Sequence, residues 1–394
     1  MAHARRSAGF EREGGGSVSG PLRILALEPY YGGSHRAVLD SLVDRLDAEW
    51  TLLTLPARKW KWRMRGAAMT MSADARERCG AAGGAAPFDL VFASTFLNLA
   101  EWRGLVGPAL AAVPAIVYFH ENQLLYPNRH TAEWDLQFPL TNVTTALSAE
   151  ACVFNTRWNL DGFLHEIPDF LRAFPDHHPK GVVGAVRAKS VVLAPPFDPA
   201  HFDAAPAMRG DRCRIVWPHR WEHDKNPEEF IAAVSVLADE GLDFEVAVAG
   251  QSFRETERLV KGMASALGER LVHCDQPADR TEYAELLASA DVAVSTAVNE
   301  FFGLAMVEAC YAGCHPLVPD RLAYPEIYDA RYRYGSVDEL VSGLRAVILK
   351  RPEPYCAREI AEPFTCERLV PDFRSLFESV AFDGGPPDEM RGGD

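Results

Sequence analysis

No two of the eight cysteines (79, 152, 213, 274, 310, 314, 356 and 366) form a CxxC pair, and the nearest two, Cys310 and Cys314, lie in an apolar helical pattern without a histidine or cysteine cluster. That spacing argues against a zinc module and for reduced, mostly buried thiols. No stretch reaches the ~18 consecutive apolar residues of a membrane helix. The opening MAHARRSAGFEREGGGSVSG lacks the apolar segment of a secretory signal, so a cytoplasmic protein without membrane contact is expected. No GxGxxG follows the first strand pattern, which counts against a dinucleotide dehydrogenase. Cations are scarce, with 40 basic residues against 55 acidic ones and a net charge of −15. A wide basic surface is thereby excluded, and any contact with nucleic acid must be local.

What is present is a soluble globular composition, 48% hydrophobic and 24% charged, in a chain of 394 residues. That length exceeds one ordinary core, so two domains are expected. Short apolar runs at 22–28, 50–55, 88–94, 114–120, 151–155 and 190–196 read as buried strands separated by amphipathic stretches. The rhythm restarts with strands at 213–219, 244–250, 270–274, 291–296 and 314–319, and helices at 227–239, 255–267, 281–289 and 303–312. Such alternation predicts an α/β protein of two Rossmann-like, doubly wound parallel-sheet domains facing across a cleft. The expected boundaries are 21–200 and 201–365, with the aperiodic PPFDPAHFDAAPAMRGD between them. A helix at 366–381 is expected to pack back on the first domain, and the Gly-rich tails 1–20 and 382–394 to be disordered.

Ligands of such folds gather at strand C-termini. The first strand ends in EPYYGGSH, whose glycines Gly32 and Gly33 precede Ser34, a natural N-cap. The turn suits close approach to phosphate or sugar, and equally suits a plain strand-to-helix connection. The strand PAIVYF ends in His120, Glu121, Asn122 and Gln123, four polar side chains at a cleft edge, which favours ligand contact. Asn142, Thr144, Thr145 and Asn155 stand equally well as structural or functional groups. In the second half, Arg220 and Lys225 lie between a strand and a helix opening at Asn226-Pro227. Two cations beside a helix N-terminus suit a diphosphate, whose leaving phosphate accumulates negative charge. In NEFFGLAMVEAC, Glu300 sits on a loop rim, and the peptide N–H groups of Phe302, Gly303, Leu304 and Ala305 open a helix toward the cleft. Glu308 falls within an apolar helix, where a carboxylate must find a partner or cost free energy.

One stretch fits none of these patterns. RKWKWRMRG places Arg58, Lys59, Lys61, Arg63 and Arg65 around Trp60 and Trp62 in an otherwise acidic chain. Either the tryptophans fill a groove and the cations are solvated, or the group meets an external partner.

The Glu300-x7-Glu308 spacing, with Arg220 and Lys225 upstream, resembles glycosyltransferase family 4, retaining enzymes of the GT-B fold. EPYYGGSH, LPARKWKWRMRG, FASTFLNLAEWRGL, YFHENQLLYP and FNTRWNLDGF together resemble the narrower tRNA-queuosine mannosyltransferase group. The resemblance implies transfer of a hexose, mannose from GDP-mannose, onto queuosine in a tRNA anticodon loop. It further implies that Arg220 and Lys225 hold the donor diphosphate with the backbone near Gly303 and Leu304. Glu308 then binds the ribose hydroxyls, Glu300 the transferred sugar, His120 the sugar near its C6 hydroxyl, and Gly33 lies against diphosphate and acceptor. Such enzymes generally use no metal, and no DxD motif occurs here; the leaving phosphate takes the acceptor proton in a same-face attack. Ser34, His35, Glu121, Asn122 and Gln123 fall to the acceptor side. Lys59, Trp60, Lys61, Trp62 and Arg63 would meet phosphates and splayed bases of the RNA. The rival expectations are a family 4 transferase with a small-molecule or lipid acceptor, and a non-catalytic protein that binds sugar nucleotide and RNA.

Overall fold

The computed structural model describes residues 20–79, 86–126, 135–206, 208–250 and 256–391, and its framework is two six-stranded parallel sheets. The first sheet runs β2-β1-β3-β4-β5-β6, built from β1 (Leu22–Tyr31), β2 (Ala48–Pro56), β3 (Leu90–Ser94), β4 (Ala115–Phe119), β5 (Ala151–Phe154) and β6 (Ser190–Val192). The second runs β12-β11-β10-β7-β8-β9, from β7 (Cys213–Trp217), β8 (Phe244–Ala249), β9 (Leu271–Asp275), β10 (Val292–Val294), β11 (His315–Pro319) and β12 (Arg333–Tyr334). In each sheet the chain winds outward one way and then the other, so the order reverses between β1 and β3 and between β7 and β10. A ligand crevice opens at such a reversal.

The strands are near-continuous apolar runs because helices cover both faces. Leu25 and Leu27 of β1 face one helical layer with Trp102, Phe163 and Ile167. Ile24 and Ala26 face the other, formed by the helices Gly33–Arg45 and Cys366–Asp383. Each fully buried Leu or Ile side chain contributes roughly 1.5–3 kcal/mol. The C-terminal helix Cys366–Asp383 lays Phe373 and Phe377 on Tyr118, Phe92 and Trp50 of the first sheet.

Contacts among the described residues join the two halves near the cleft floor, including the rings of Trp158 and Phe301 at 5.4 Å. Thr156 Oγ1 donates to the Phe301 carbonyl at 3.0 Å. The Glu326 carboxylate accepts from the amides of Arg157 and Trp158, capping the helix Arg157–Arg172 from the opposite half. Phe197 in the linker exchanges backbone bonds with Phe364 and Cys366, so the outgoing and returning chains cross side by side.

Several expectations need correction. Residues 382–391 are ordered: Gly384, at φ 82°, ends the last helix, and Arg391 forms an antiparallel bridge with Val191. Residues 1–19 and 392–394 lie outside the described residues. Strand β6 stops at Val192, before Pro195 and Pro196 remove backbone donors. RKWKWRMRG begins a helix, Trp60–Cys79, after Lys59 takes a positive φ of 57°. Among the described residues no helix is long and apolar enough to cross a membrane.

Candidate functional site

The two switch points meet at the cleft, where Arg220 of the second half lies within electrostatic reach of Tyr30 and Tyr126 of the first. On the first sheet, β1 carries near its C-terminal end a carboxylate that no sequence motif marks. Glu28 is buried; its Oε1 accepts from the Tyr30 amide at 2.8 Å and from Ser94 Oγ, at the end of β3, at 2.9 Å. Its Oε2 lies 3.2 Å from His35 Nδ1, and His35 Nε2 lies 3.4 Å from Glu121 Oε2. His35 in turn stacks on His120.

These contacts set the charge of both rings. Burial alone would lower His35, but Glu28 and then Glu121 outweigh it and raise the imidazole to about 10. Burial, reinforced by the His35 charge, pushes His120 well below its ordinary range. At neutral pH a buried imidazolium therefore supports a neutral imidazole. Glu28, His35 and His120 are a group of described residues whose potential metal-ligating atoms lie within 4.8 Å of one another. Within this group both ring nitrogens of His35 face carboxylates, Glu28 and Glu121, and its ring lies face-on to His120.

The sequence reading set His35 and Asn122 against the acceptor; the structure corrects both. His35 is only 4% exposed, and Asn122 is fully buried. Asn122 donates to Asn159 Oδ1 at 2.7 Å and accepts from the amides of Leu124 and Leu125. Asn155 donates to the His120 carbonyl at 2.8 Å, and Asn159 to Asn155 and to the Phe119 carbonyl. Asn142 accepts from the Gln123 amide and donates to the Thr95 carbonyl. An asparagine lattice thus fixes the His120–Gln123 loop, leaving Glu121, one-fifth exposed, as its open carboxylate. Gln123 is buried, and Thr145 is spent on Leu97 and Leu99 while Thr144 bonds its own helix. Ser34 does not cap its helix; Gly32 occupies the cap position, Gly33 follows at φ 54°, and Gly33 and Ser34 stand exposed in the first turn.

In the second half, Lys225 is the centre. Its Nζ lies 3.1 Å from Glu300 Oε2, 3.0 Å from the Asn299 carbonyl and 3.3 Å from Asp224 Oδ2. Burial would lower the ammonium, and Glu300 and Asp224 more than restore it. Asp224 also accepts, through its carbonyl, from the amides of Val298 and Asn299, so one short segment fixes both Lys225 and the Glu300 loop. Arg220 is half exposed and pairs with Glu222 at 3.2 Å. Beneath it, burial and then Lys225 push His219 down to about 3. Glu300 Oε1 accepts from the Phe301 amide at 3.1 Å, which turns the carboxylate to the loop rim. Gly303, at φ 90°, starts the helix Leu304–Ala312; Phe302 and Leu304 are buried and Ala305 is half-buried. Glu308 is buried and bonded by Arg280, whose NH2 lies 2.8 Å from Oε1. Arg280 was not legible in sequence, because nothing in PADRTEY marks it apart from a surface arginine.

The tryptophans of the basic helix part company. Trp60 is half-buried among Phe138, Phe96 and Tyr126, at ring distances of 5.1, 6.3 and 6.3 Å. Trp62 is 68% exposed. Arg63 donates to the Pro56 carbonyl, and Arg65 pairs with Asp135 while lying over the Phe138 ring. Arg58, Lys59 and Lys61 are exposed. Trp60 is thus corrected to a packing residue, and the outward group is Arg58, Lys59, Lys61 and Trp62.

Comparison with known proteins agrees with this arrangement of two facing halves. Residues 23–197 match the family described as tRNA-queuosine alpha-mannosyltransferase N-terminal, and residues 202–354 match glycosyl transferases group 1. The chain is 34% identical over 379 residues to a tRNA-queuosine alpha-mannosyltransferase of Drosophila melanogaster, covering 91% of this chain and 97% of that one. A GDP-mannose-dependent alpha-(1-6)-phosphatidylinositol dimannoside mannosyltransferase of Mycobacterium tuberculosis is 33% identical over 172 residues, 42% of this chain and 44% of the relative. Among solved structures, Anabaena HepE in complex with UDP and glucose aligns with a TM-score of 0.64 at 14% identity, over 91% of this chain and all of the other. Sucrose-phosphate synthase from Thermosynechococcus elongatus aligns with a TM-score of 0.68 at 12% identity, over 91% and 99%. These structural likenesses establish the GT-B fold.

Proposed function

The chain belongs to the tRNA-queuosine alpha-mannosyltransferase family and is a glycosyltransferase, and we propose that it moves mannose from GDP-mannose, with retention, onto queuosine in the anticodon loop of a tRNA. The observation that carries this reading is the pairing of Lys225 with Glu300 in one half, with Tyr126 of the other half within electrostatic reach of both Asp224 beside that pair and Glu121 beside His120. The donor's diphosphate lies against Lys225, Arg220 and the amides that open the helix at Leu304. Its arrival supplies Lys225 with a stronger anionic partner and frees Glu300 to accept from the mannose hydroxyls. Glu308 accepts from the ribose hydroxyls. His120, uncharged, meets the sugar near its C6 hydroxyl without repelling the oxocarbenium-like charge that develops as the anomeric bond breaks.

Attack comes from the face the diphosphate leaves, and the departing phosphate oxygen takes the acceptor proton. Lys225 and Arg220 hold the negative charge that appears there, the largest electrostatic demand of the step. No residue here is assigned as a nucleophile, and no metal or further cofactor enters the scheme. Arg58, Lys59, Lys61 and Trp62 engage the RNA, the cations at phosphates and the ring under an unstacked base. Confinement of this patch to one helix start is consistent with a net charge of −15, since the remaining surface repels bulk nucleic acid.

The test is mass spectrometry of nucleosides after incubation with queuosine-bearing tRNA and, separately, GDP-mannose, UDP-glucose or UDP-galactose. A hexose added only from GDP-mannose is expected. A hexose from another donor corrects the sugar. No addition from any donor, by protein that binds a nucleotide sugar, removes tRNA as acceptor and favours a small-molecule or lipid one.

A further inference from the structure

Glu308 is 3% exposed, on a helix that is otherwise apolar, and Arg280 is the cation hydrogen-bonded to it among the described residues. The bond engages Oε1, and the Tyr283 hydroxyl is a second polar neighbour of the carboxylate. Arg280 is itself tightly set. It is the first residue of the helix Arg280–Ala288, whose start is fixed by Asp279 accepting from the amides of Thr281 and Glu282. Its guanidinium lies 5.2 Å from the Phe202 ring centroid and 5.3 Å from that of Tyr283. Three helices, Ala200–Ala204, Arg280–Ala288 and Leu304–Ala312, therefore meet at one ion pair. Its members differ in access: the Arg280 side chain is 41% exposed and that of Glu308 only 5%.

We infer that Arg280 is the positioning residue of the nucleotide-ribose subsite, holding the Glu308 carboxylate so that it accepts from the cis hydroxyls of a nucleoside diphosphate. A carboxylate held in a charge-assisted bond by an oriented donor keeps one rotamer, and its remaining lone pairs then point in fixed directions. Without that bond the buried Glu308 carboxylate is left with the neutral Tyr283 hydroxyl and turns toward it. Phe202 and Tyr283 hold the guanidinium plane, so a neutral side chain at 280 cannot substitute for it and an ammonium can do so only in part. This inference rests on the assignment of Glu308 to ribose above, and deepens it.

The experiment is calorimetric titration of wild type, Glu308→Gln, Arg280→Gln and Arg280→Lys with GDP and with 2′-deoxy-GDP, alongside their melting temperatures. Loss of one charge-assisted hydrogen bond weakens binding about tenfold or more. Wild type is expected to prefer GDP by that ratio, Glu308→Gln to lose the preference, and Arg280→Gln to lose most of it. Arg280→Lys should recover part of it, because an ammonium still pairs with the carboxylate. A purely structural brace would lower the melting temperature and leave the ratio untouched; an unchanged ratio in Arg280→Gln overturns the inference alone. Tighter GDP binding by Arg280→Gln also overturns it, since Arg280 would then be obstructing the subsite. No preference in wild type overturns the assignment of Glu308 to ribose together with everything built on it.

Discussion

The imidazole of His35 lies flat on that of His120, with ring centroids 3.9 Å apart and planes inclined by 26°. Two imidazolium rings in that arrangement would repel, so the pair divides its charge: His35, between Glu28 and Glu121, takes the proton, and His120 stays neutral. The stack thus connects the floor of the first sheet to the face of the cleft.

Stability should therefore vary with pH in a predictable sense. His35 is raised from 6.5 to about 10, so its contribution is complete below pH 6.5 and is lost as pH rises through about 10. His120 and His219 are depressed, so theirs is present above pH 6.5 and is lost on acidification. His35→Gln removes the alkaline arm and leaves the buried Glu28 and the partly exposed Glu121 facing a neutral amide, a loss of about 3 kcal/mol at neutral pH. The gap in melting temperature between wild type and His35→Gln should shrink from pH 6.5 to 10. A constant gap would mean that His35 carries no proton in the fold.

Lys225→Met removes the cation between Glu300 and Asp224, at 3.1 and 3.3 Å. Both carboxylates then face each other uncompensated, and the donor diphosphate loses its central partner. A fall in kcat/KM of about 10²–10³ is expected, from an electrostatic group acting where charge develops. Steady-state kinetics with GDP-mannose at saturating tRNA would measure it. A loss below tenfold would exclude Lys225 from the diphosphate site.

The tryptophans separate packing from recognition. Trp62→Ala should leave stability within about 0.5 kcal/mol and weaken tRNA binding about tenfold, the loss of one base-stacking platform. Trp60→Ala should destabilise by about 2–3 kcal/mol, since its ring fills the space between Phe96, Phe138 and Tyr126. Filter binding and thermal melting of both variants suffice. Equal loss of tRNA affinity in a stable Trp60→Ala would return Trp60 to the RNA surface.

The sheets were legible because parallel strands are buried on both faces and read as apolar runs, and the helix at Pro227–Asp239 announces itself through Asn226-Pro227. Functional side chains at strand ends were legible where several polar groups followed one another, as in His120–Gln123. Which of those groups face solvent was not, since that depends on partners far along the chain. Asn122 is consumed by Asn159, thirty-seven residues away, and His35 by Glu121, eighty-six away. Glu28 looked like an ordinary residue at the end of a strand pattern, and Arg280 like a surface cation. Each acquires its role only when β3 and the helix Leu304–Ala312 are brought beside it. Order in residues 382–391 was not legible, because glycine and proline content does not report a single strand bridge.

Gly250, at the end of β8, has no room for a side chain. A Cβ there would lie 1.9 Å from the His219 carbonyl oxygen and 3.0 Å from the Arg220 amide nitrogen. The obstacle is backbone, so it cannot rotate aside; β7 must move where it hands Arg220 to the cleft. Gly250→Ala should destabilise by about 1–3 kcal/mol through that overpacking and weaken GDP binding as Arg220 is displaced. Gly262, within the helix Glu257–Leu267, has nothing within 4 Å of a Cβ and serves as the control. Gly262→Ala should be neutral or stabilise by up to ~1 kcal/mol through helix propensity. Melting and GDP titration of the two variants separate the general effect of alanine from the close approach of β7 and β8. If Gly250→Ala melted lower yet bound GDP as wild type does, the position of Arg220 would not depend on that contact, and the diphosphate would be held chiefly by Lys225 and the helix opening at Leu304.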